Sequence, residues 1–336
     1  MNKERKTEKN QHWLPALSLL LLAPVFGEIL STSSPPLEFL SPPVFIILVG
    51  LYGCGALLAR EVARRWKKGW VSILLLGMAY GIYEEGIVVR SFFDPNWVDI
   101  GALGSYGRAW GINFIWSISL TLFHAVVSIG LPILLVEMTF PKVKDDVWLG
   151  KGGMVICGVV FASFLFLAPL LKLYTITWME FALCMICMGL LVWAAKQWNG
   201  IPFAIKAQRV GTAWQIGLSY FGLMVVHILG TWLLPEMRVP VGVTFAVLAV
   251  LPWVGVWLAK RWNSAAWDER QQWAAGMGLV TPWLILSVVA ELQNATRPDD
   301  TRGMALAAIL VLMYLVVLRI RIERRGKRQE RWNRNC

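Results

Sequence analysis

The sequence predicts an all-α, polytopic transmembrane helix bundle of about ten spans, and three observations carry that prediction. Of 336 residues, 57% are hydrophobic and 16% charged, with a mean hydropathy of +0.57, above what a water-soluble domain of this size carries. Apolar stretches of about 20 residues, the length that crosses a bilayer's hydrocarbon, recur ten times along the chain. Basic residues gather in alternate connections between them. Ten spans take roughly 200 positions and leave no room for an extramembrane domain, which excludes a soluble enzyme. The net charge of +11 does not imply nucleic acid as a partner, because the cations punctuate apolar segments and line no polar face.

The elements come in the following order. A basic tail over residues 1–12, with Lys3, Arg5, Lys6 and Lys9, precedes an apolar run over 13–30. No small-x-small cleavage signal stands before the Pro-rich turn at 31–43, and a second span comes at once, so the first run is expected to stay attached as a helix. Further spans are expected at 44–66, 69–90, 111–140, 153–173, 177–198, 213–234, 239–259, 272–293 and 303–319. These make one transmembrane domain over 13–319, with a second basic tail over 320–336. No internal repeat, low-complexity tract or long linker divides it.

Lys and Arg set the orientation. With both tails inside, 26 of the 32 basic residues are cytoplasmic, and only Arg90, Arg108, Lys172, Arg238, Arg297 and Arg302 lie outside. The positive-inside rule therefore predicts cytoplasmic N- and C-termini, and the membrane is expected to be the plasma membrane. Trp13, Trp66, Trp70, Trp110, Trp178, Trp198, Trp214 and Trp232 fall at expected span ends, as an aromatic belt requires. Five cysteines, Cys54, Cys157, Cys184, Cys187 and Cys336, occupy apolar segments and the terminal tail, so no disulfide is expected. The C-x-x-C spacing of Cys184 and Cys187 reads as buried thiols in mid-helix.

Carboxylates inside a span cost about 2.5 to 3.5 kcal/mol on insertion scales and persist where they face a wet or paired interior. Glu84 and Glu85 are therefore the first candidates. They sit five and six residues before Arg90, roughly 8 to 9 Å along the helix. Adjacent residues point about 100° apart, so one acid can face a cavity while the other pairs with Arg90 or a backbone donor. The plain alternative is an acid pair near the interface, bridged to Arg90. Gly77 and Gly81 form a G-x-x-x-G face that lets a second helix approach closely below the acids.

Two of the three histidines, His124 and His227, also lie inside spans, where hydropathy alone would not place them. Each could serve helix packing through a hydrogen bond; together with the acid pair they suggest a shared site. Glu28, Asn113, Glu291 and Gln293 add polar groups to the same half of the bundle, pointing to a water-accessible pocket covered by the loop over 91–110. A metal is not expected: no H-E-x-x-H helix is present and the candidate ligands are spread over separate spans. No cofactor is expected either.

An adjacent Glu pair followed by Arg, with single histidines in two later helices, resembles the CPBP family of intramembrane proteases related to the CAAX-prenyl endopeptidase. The family's motifs are Glu-Glu-x-x-x-Arg, Phe-x-x-x-His and His-x-x-x-Asn. Here Arg90 arrives one residue late, a displacement that a one-residue π-bulge at Gly86 would correct. Leu120 stands in place of Phe and Thr231 in place of Asn. The resemblance implies that Glu84 or Glu85 activates a water against a peptide carbonyl, that His124 or His227 donates to the oxyanion, and that Arg90 keeps one acid ionised. Prenyl substrates are not implied, since the acids are expected nearer the outer face.

Three functions stay open at this point. An intramembrane peptidase with a membrane-embedded peptide as substrate would explain the acid pair with two buried imidazoles. A proton-coupled transporter would use the same groups as a relay, with Pro24, Pro132, Pro169, Pro252 and Pro282 inside its spans. A non-catalytic scaffold or subunit in the lipid bilayer would use them only to lock helices together.

Overall fold

The computed structural model describes residues 12–98, 100–198, 210–297 and 299–335. Lys3, Arg5, Lys6 and Lys9, the loop cations Lys206 and Arg209, and Cys336 lie outside the described residues. Ten helices run in the expected order. The first, α1, Trp13–Ile29, is apolar but short. Nine more are long and apolar enough to cross a membrane among the described residues: α2 Pro42–Arg65, α3 Trp70–Val88, α4 Phe114–Thr139, α5 Lys151–Leu170, α6 Trp178–Gln197, α7 Ala213–Glu236, α8 Val241–Arg261, α9 Glu269–Leu292 and α10, which begins at Met304. The protein is an all-α, multi-pass integral membrane protein. Cys54, Cys157, Cys184 and Cys187 are free thiols.

Helix ends obey local chemistry. Thr177, Thr212 and Asp268 cap α6, α7 and α9 as full capping boxes with Glu180, Gln215 and Gln271. The Asn113 side chain accepts from the Trp116 backbone N–H at 2.9 Å and caps α4. Helix α10 continues past Arg319 to Asn335 without a break, and Arg325 folds back to donate to the Met138 carbonyl at 3.0 Å and to pair with Glu269 at 3.1 Å.

Burial separates the centre of the bundle from its rim. In α3 and α4, 72% and 67% of the apolar window is buried, against 17% in α5, α6 and α8, so α3 and α4 form the protein-facing core and the latter three line the lipid. Small residues set the closest crossings. A β-carbon on Gly77 would stand 2.8 Å from Ala125 Cα, and one on Gly278 would stand 2.2 Å from the Gly217 carbonyl oxygen, so α3 meets α4, and α7 meets α9, backbone to backbone. The G-x-x-x-G reading of α3 is borne out.

Five helices contain a π-helical turn: Val25–Ile29 in α1, Val49–Gly53 in α2, Tyr83–Val88 in α3, His124–Gly130 in α4 and Leu229–Leu233 in α7. The Val89 N–H reaches back five residues to the Glu84 carbonyl at 2.8 Å, and Leu30 N–H to Val25 at 3.1 Å. Each such turn holds one extra residue and rotates the rest of the helix beyond it, and such turns are frequent at functional sites.

At the far end of α2, Arg60 is fully buried. It donates to Glu61 at 2.8 Å, to Glu137 at 3.0 Å and to the carbonyls of Asp146 and Lys144, with its guanidinium 3.2 Å above the Trp148 ring. This network ties the α4–α5 connection to α2.

Candidate functional site

The π-helical turns of α1 to α4 carry one polar cluster. Glu28 comes from the turn in α1, Tyr52 from that in α2, Glu84 and Glu85 from that in α3, and His124 and Ser128 from that in α4. His124 is 1% exposed, Glu84 3% and Glu85 8%, so the three groups interact in a medium where water screens little.

His124 is the hub. Its Nε2 lies 2.9 Å from Glu85 Oε1, and its Nδ1 lies 3.0 Å from Ser128 Oγ and 3.3 Å from Glu84 Oε2. The rings of Phe123, Tyr80 and Tyr52 surround the imidazole at centroid distances of 5.2, 5.7 and 6.0 Å, which fixes its plane. Glycines make room for this arrangement. Tyr52 lies on Gly27 and Tyr80 on Gly55, at 2.2 Å from where a β-carbon would be in each case. Glu28, half-buried, accepts from the Tyr52 hydroxyl at 2.5 Å and from Ser34 at 2.7 Å. The other oxygen of Glu85 accepts from Ser91, whose hydroxyl in turn accepts from Trp116 Nε1 at 3.1 Å.

Glu85 lies three residues before the end of α3, and His124 ten residues after the start of α4. Their contact therefore needs α3 to stop roughly 10 Å short of the level at which α4 begins. The chain after α3 fills that gap. Ser91, Phe92, Phe93, Ile100 and Leu103 are buried, and Arg108 donates to the carbonyls of Phe93 at 2.7 Å and Gly111 at 2.9 Å, beside a two-residue ribbon pairing Arg108–Ala109 with Ile112–Asn113. The loop expected to cover the acids does so through Ser91.

Two sequence-derived site residues are not brought into the cluster. Arg90 stands beyond the end of α3 in a left-handed conformation, φ +67°. Its guanidinium donates to the carbonyls of Ile87 at 3.3 Å and Tyr174 at 2.7 Å. The π-turn anticipated near Gly86 exists, yet the helix ends before its rotation can carry Arg90 to the acids. His227 is buried in α7, but it is not among the groups whose donor atoms gather within 4.8 Å at Glu84, Glu85 and His124. Helix α7 meets α4 through Thr231, whose hydroxyl is 2.6 Å from that of Ser119. Ser119 is five residues before His124, about 140° around the helix, so α7 lies against a different face of α4.

Asn113 and Glu291 serve helix starts instead: Glu291 accepts from the Ala305 backbone N–H at 2.6 Å in the first turn of α10. Tyr52, Tyr80 and Ser91 belong to the cluster and were not singled out from the sequence; Ser128, which has no obvious base partner in sequence, stands 3.0 Å from His124 Nδ1. The one signal available for the tyrosines was their placement inside apolar spans next to glycine, which a core tyrosine shares. One oxygen from each carboxylate and one ring nitrogen from His124 lie within 4.8 Å of one another, so part of the ligand set judged too dispersed in sequence is gathered here, without His227.

Fold and cluster together define a multi-pass integral membrane protein with an ionisable centre at the core of its helix bundle. The chain belongs to an uncharacterized membrane protein family, whose model matches residues 17–196. That stretch runs from within α1 nearly to the end of α6 and contains every residue of the cluster, whereas His227 falls outside it. No curated protein and no solved structure matches the chain.

Proposed function

We propose that the protein is an intramembrane hydrolase that cleaves a membrane-embedded peptide with Glu84, Glu85 and His124 as its acid–base centre. The observation that carries this reading is the convergence of two buried carboxylates on one imidazole, with Glu85 Oε1 at 2.9 Å and Glu84 Oε2 at 3.3 Å from its two nitrogens. Acid–base hydrolysis needs groups of this kind within hydrogen-bond reach of one another and in unequal environments. Glu85 is held by a hydroxyl donor from Ser91 and by His124 at 2.9 Å, while Glu84 Oε2 meets the imidazole only at 3.3 Å, without hydrogen-bond geometry. The freer carboxylate, Glu84, is the one suited to take a proton from water.

In this scheme the Glu84 carboxylate removes a proton from water as its oxygen bonds to the peptide carbonyl carbon. The carbon–nitrogen bond then breaks, and the leaving amine takes a proton from His124. The proton held by Glu84 returns through the imidazole, and one water is consumed per bond cut. Both termini are read as cytoplasmic from the charge bias of the loops.

The test uses the full chain reconstituted in lipid vesicles with fluorogenic membrane-spanning peptides. Glu84→Gln and His124→Asn are expected to lower turnover about a hundredfold or more while leaving the melting profile in place. Turnover unchanged in both variants overturns the reading, and lowered stability with unchanged turnover assigns the cluster to helix packing.

A further inference from the structure

We propose that Glu84, Glu85 and His124 bind a divalent transition-metal ion. The inference deepens the hydrolase reading and rests on it for its chemical role, but the binding itself does not require it.

Three observations carry it. The first is charge. Glu84 and Glu85 have His124 as their ionic partner, and among the described residues no lysine or arginine comes within ion-pair distance of either carboxylate or of Glu28. With both acids ionised, a charged imidazole still leaves an excess negative charge beside Glu28, which either protonation of an acid or a further cation removes. Buried charge is retained where it is paired or coordinates a metal.

The second is hydrogen-bond capacity. An imidazole has two nitrogens. Nε2 is engaged by Glu85 at 2.9 Å and Nδ1 by Ser128 at 3.0 Å, so the Glu84 contact at 3.3 Å is left without hydrogen-bond geometry and Glu84 Oε2 has no partner. The Tyr80 hydroxyl, on a residue only 4% exposed, faces the Glu84 carboxylate as its one polar neighbour, without full hydrogen-bond geometry. Buried polar atoms of this kind call for a ligand.

The third is the donor set. One nitrogen and two carboxylate oxygens lie within 4.8 Å of one another, on two helices whose backbones are locked together at Gly77 and Gly81. Imidazole with carboxylate suits zinc, manganese or iron. Ser91 on Glu85 and Ser128 on His124 supply the outer hydrogen bonds that orient such ligands. Closure of a coordination sphere around an ion at Nε2 needs the Glu84 carboxylate, which faces Nδ1, to rotate toward the Glu85 side of the ring.

The probe is Co2+, titrated into the untagged full chain in detergent and read by its visible absorption, with Mn2+ followed by electron paramagnetic resonance as a second ion. One saturable site per chain is expected. Glu84→Gln, Glu85→Gln and His124→Asn should each weaken it at least tenfold, whereas His227→Ala should leave it within about twofold. Absence of a saturable Co2+ site in the wild-type chain overturns the inference, as does a site that Glu84→Gln and His124→Asn leave unchanged. No substrate is present in the measurement. Binding without peptide cleavage would thus sustain the metal site and remove the hydrolase reading, and cleavage without binding would do the reverse.

Discussion

Gly81 of α3 lies against His124 of α4 so closely that a β-carbon on the glycine would stand 3.0 Å from the histidine's own. Helix packing and the placement of the imidazole are therefore the same event. Gly81→Val is expected to push the two helices apart, at about 1 to 3 kcal/mol of overpacking, and to break the Glu85–His124 contact. Thermal unfolding in detergent reads the first effect and peptide turnover the second. Gly222→Ala, where nothing lies within 4 Å of the new methyl, should be neutral or slightly stabilising.

Ser91 is the link between the covering loop and the acids. Ser91→Ala removes the donor to Glu85 and the acceptor for Trp116 Nε1, leaving two buried groups unpaired. A loss of about 1 to 3 kcal/mol is expected, with faster hydrogen exchange confined to residues 91–113. Equal exchange in variant and wild type would place the loop's anchorage elsewhere.

His227 separates a site role from a packing role. Since α7 reaches α4 through Thr231 and Ser119, His227→Ala is expected to keep peptide turnover within about threefold of wild type, against the hundredfold loss expected for His124→Asn. A comparable loss in both would return His227 to the site.

Arg60 tests the opposite end of α2. Arg60→Met strips a fully buried cation from Glu61 and Glu137, and breaking such a pair on one side costs about 3 to 5 kcal/mol. Arg65, a third exposed and 3.7 Å from Glu61, should cost less than about 1 kcal/mol when replaced by Met. Denaturation in mixed micelles orders the two.

Much of this arrangement is legible in the sequence because the bilayer imposes a length. The span expected at 177–198 is Trp178–Gln197, and that at 239–259 is Val241–Arg261. The meeting of the acid pair with His124 was also within reach, since both are ionisable groups in spans and G-x-x-x-G marks the face on which α4 lands. The remainder depends on rotation about helix axes, which hydropathy does not encode. An extra residue in a turn moves every later side chain by about 100°, and five helices contain such a turn. Arg90 was drawn to the acids by spacing alone, whereas the chain turns left-handed there and sends the guanidinium to Tyr174. Glu28 was noted as polar, but its partner Tyr52, 24 residues on, gave no periodic signal.

The widened turns of α1 to α4 have a consequence for how this centre could be dismantled. Deleting one residue from the segment 83–88 would let α3 heal into an ordinary α-helix of the same hydrophobicity, still inserted and still anchored by its lower half. Everything above the deletion would be turned out of phase, and the carboxylates would face the neighbouring helices or the acyl chains. Membrane insertion and the chemistry of the centre are thus recorded in separate features of the same helices, and one codon's loss is enough to uncouple them.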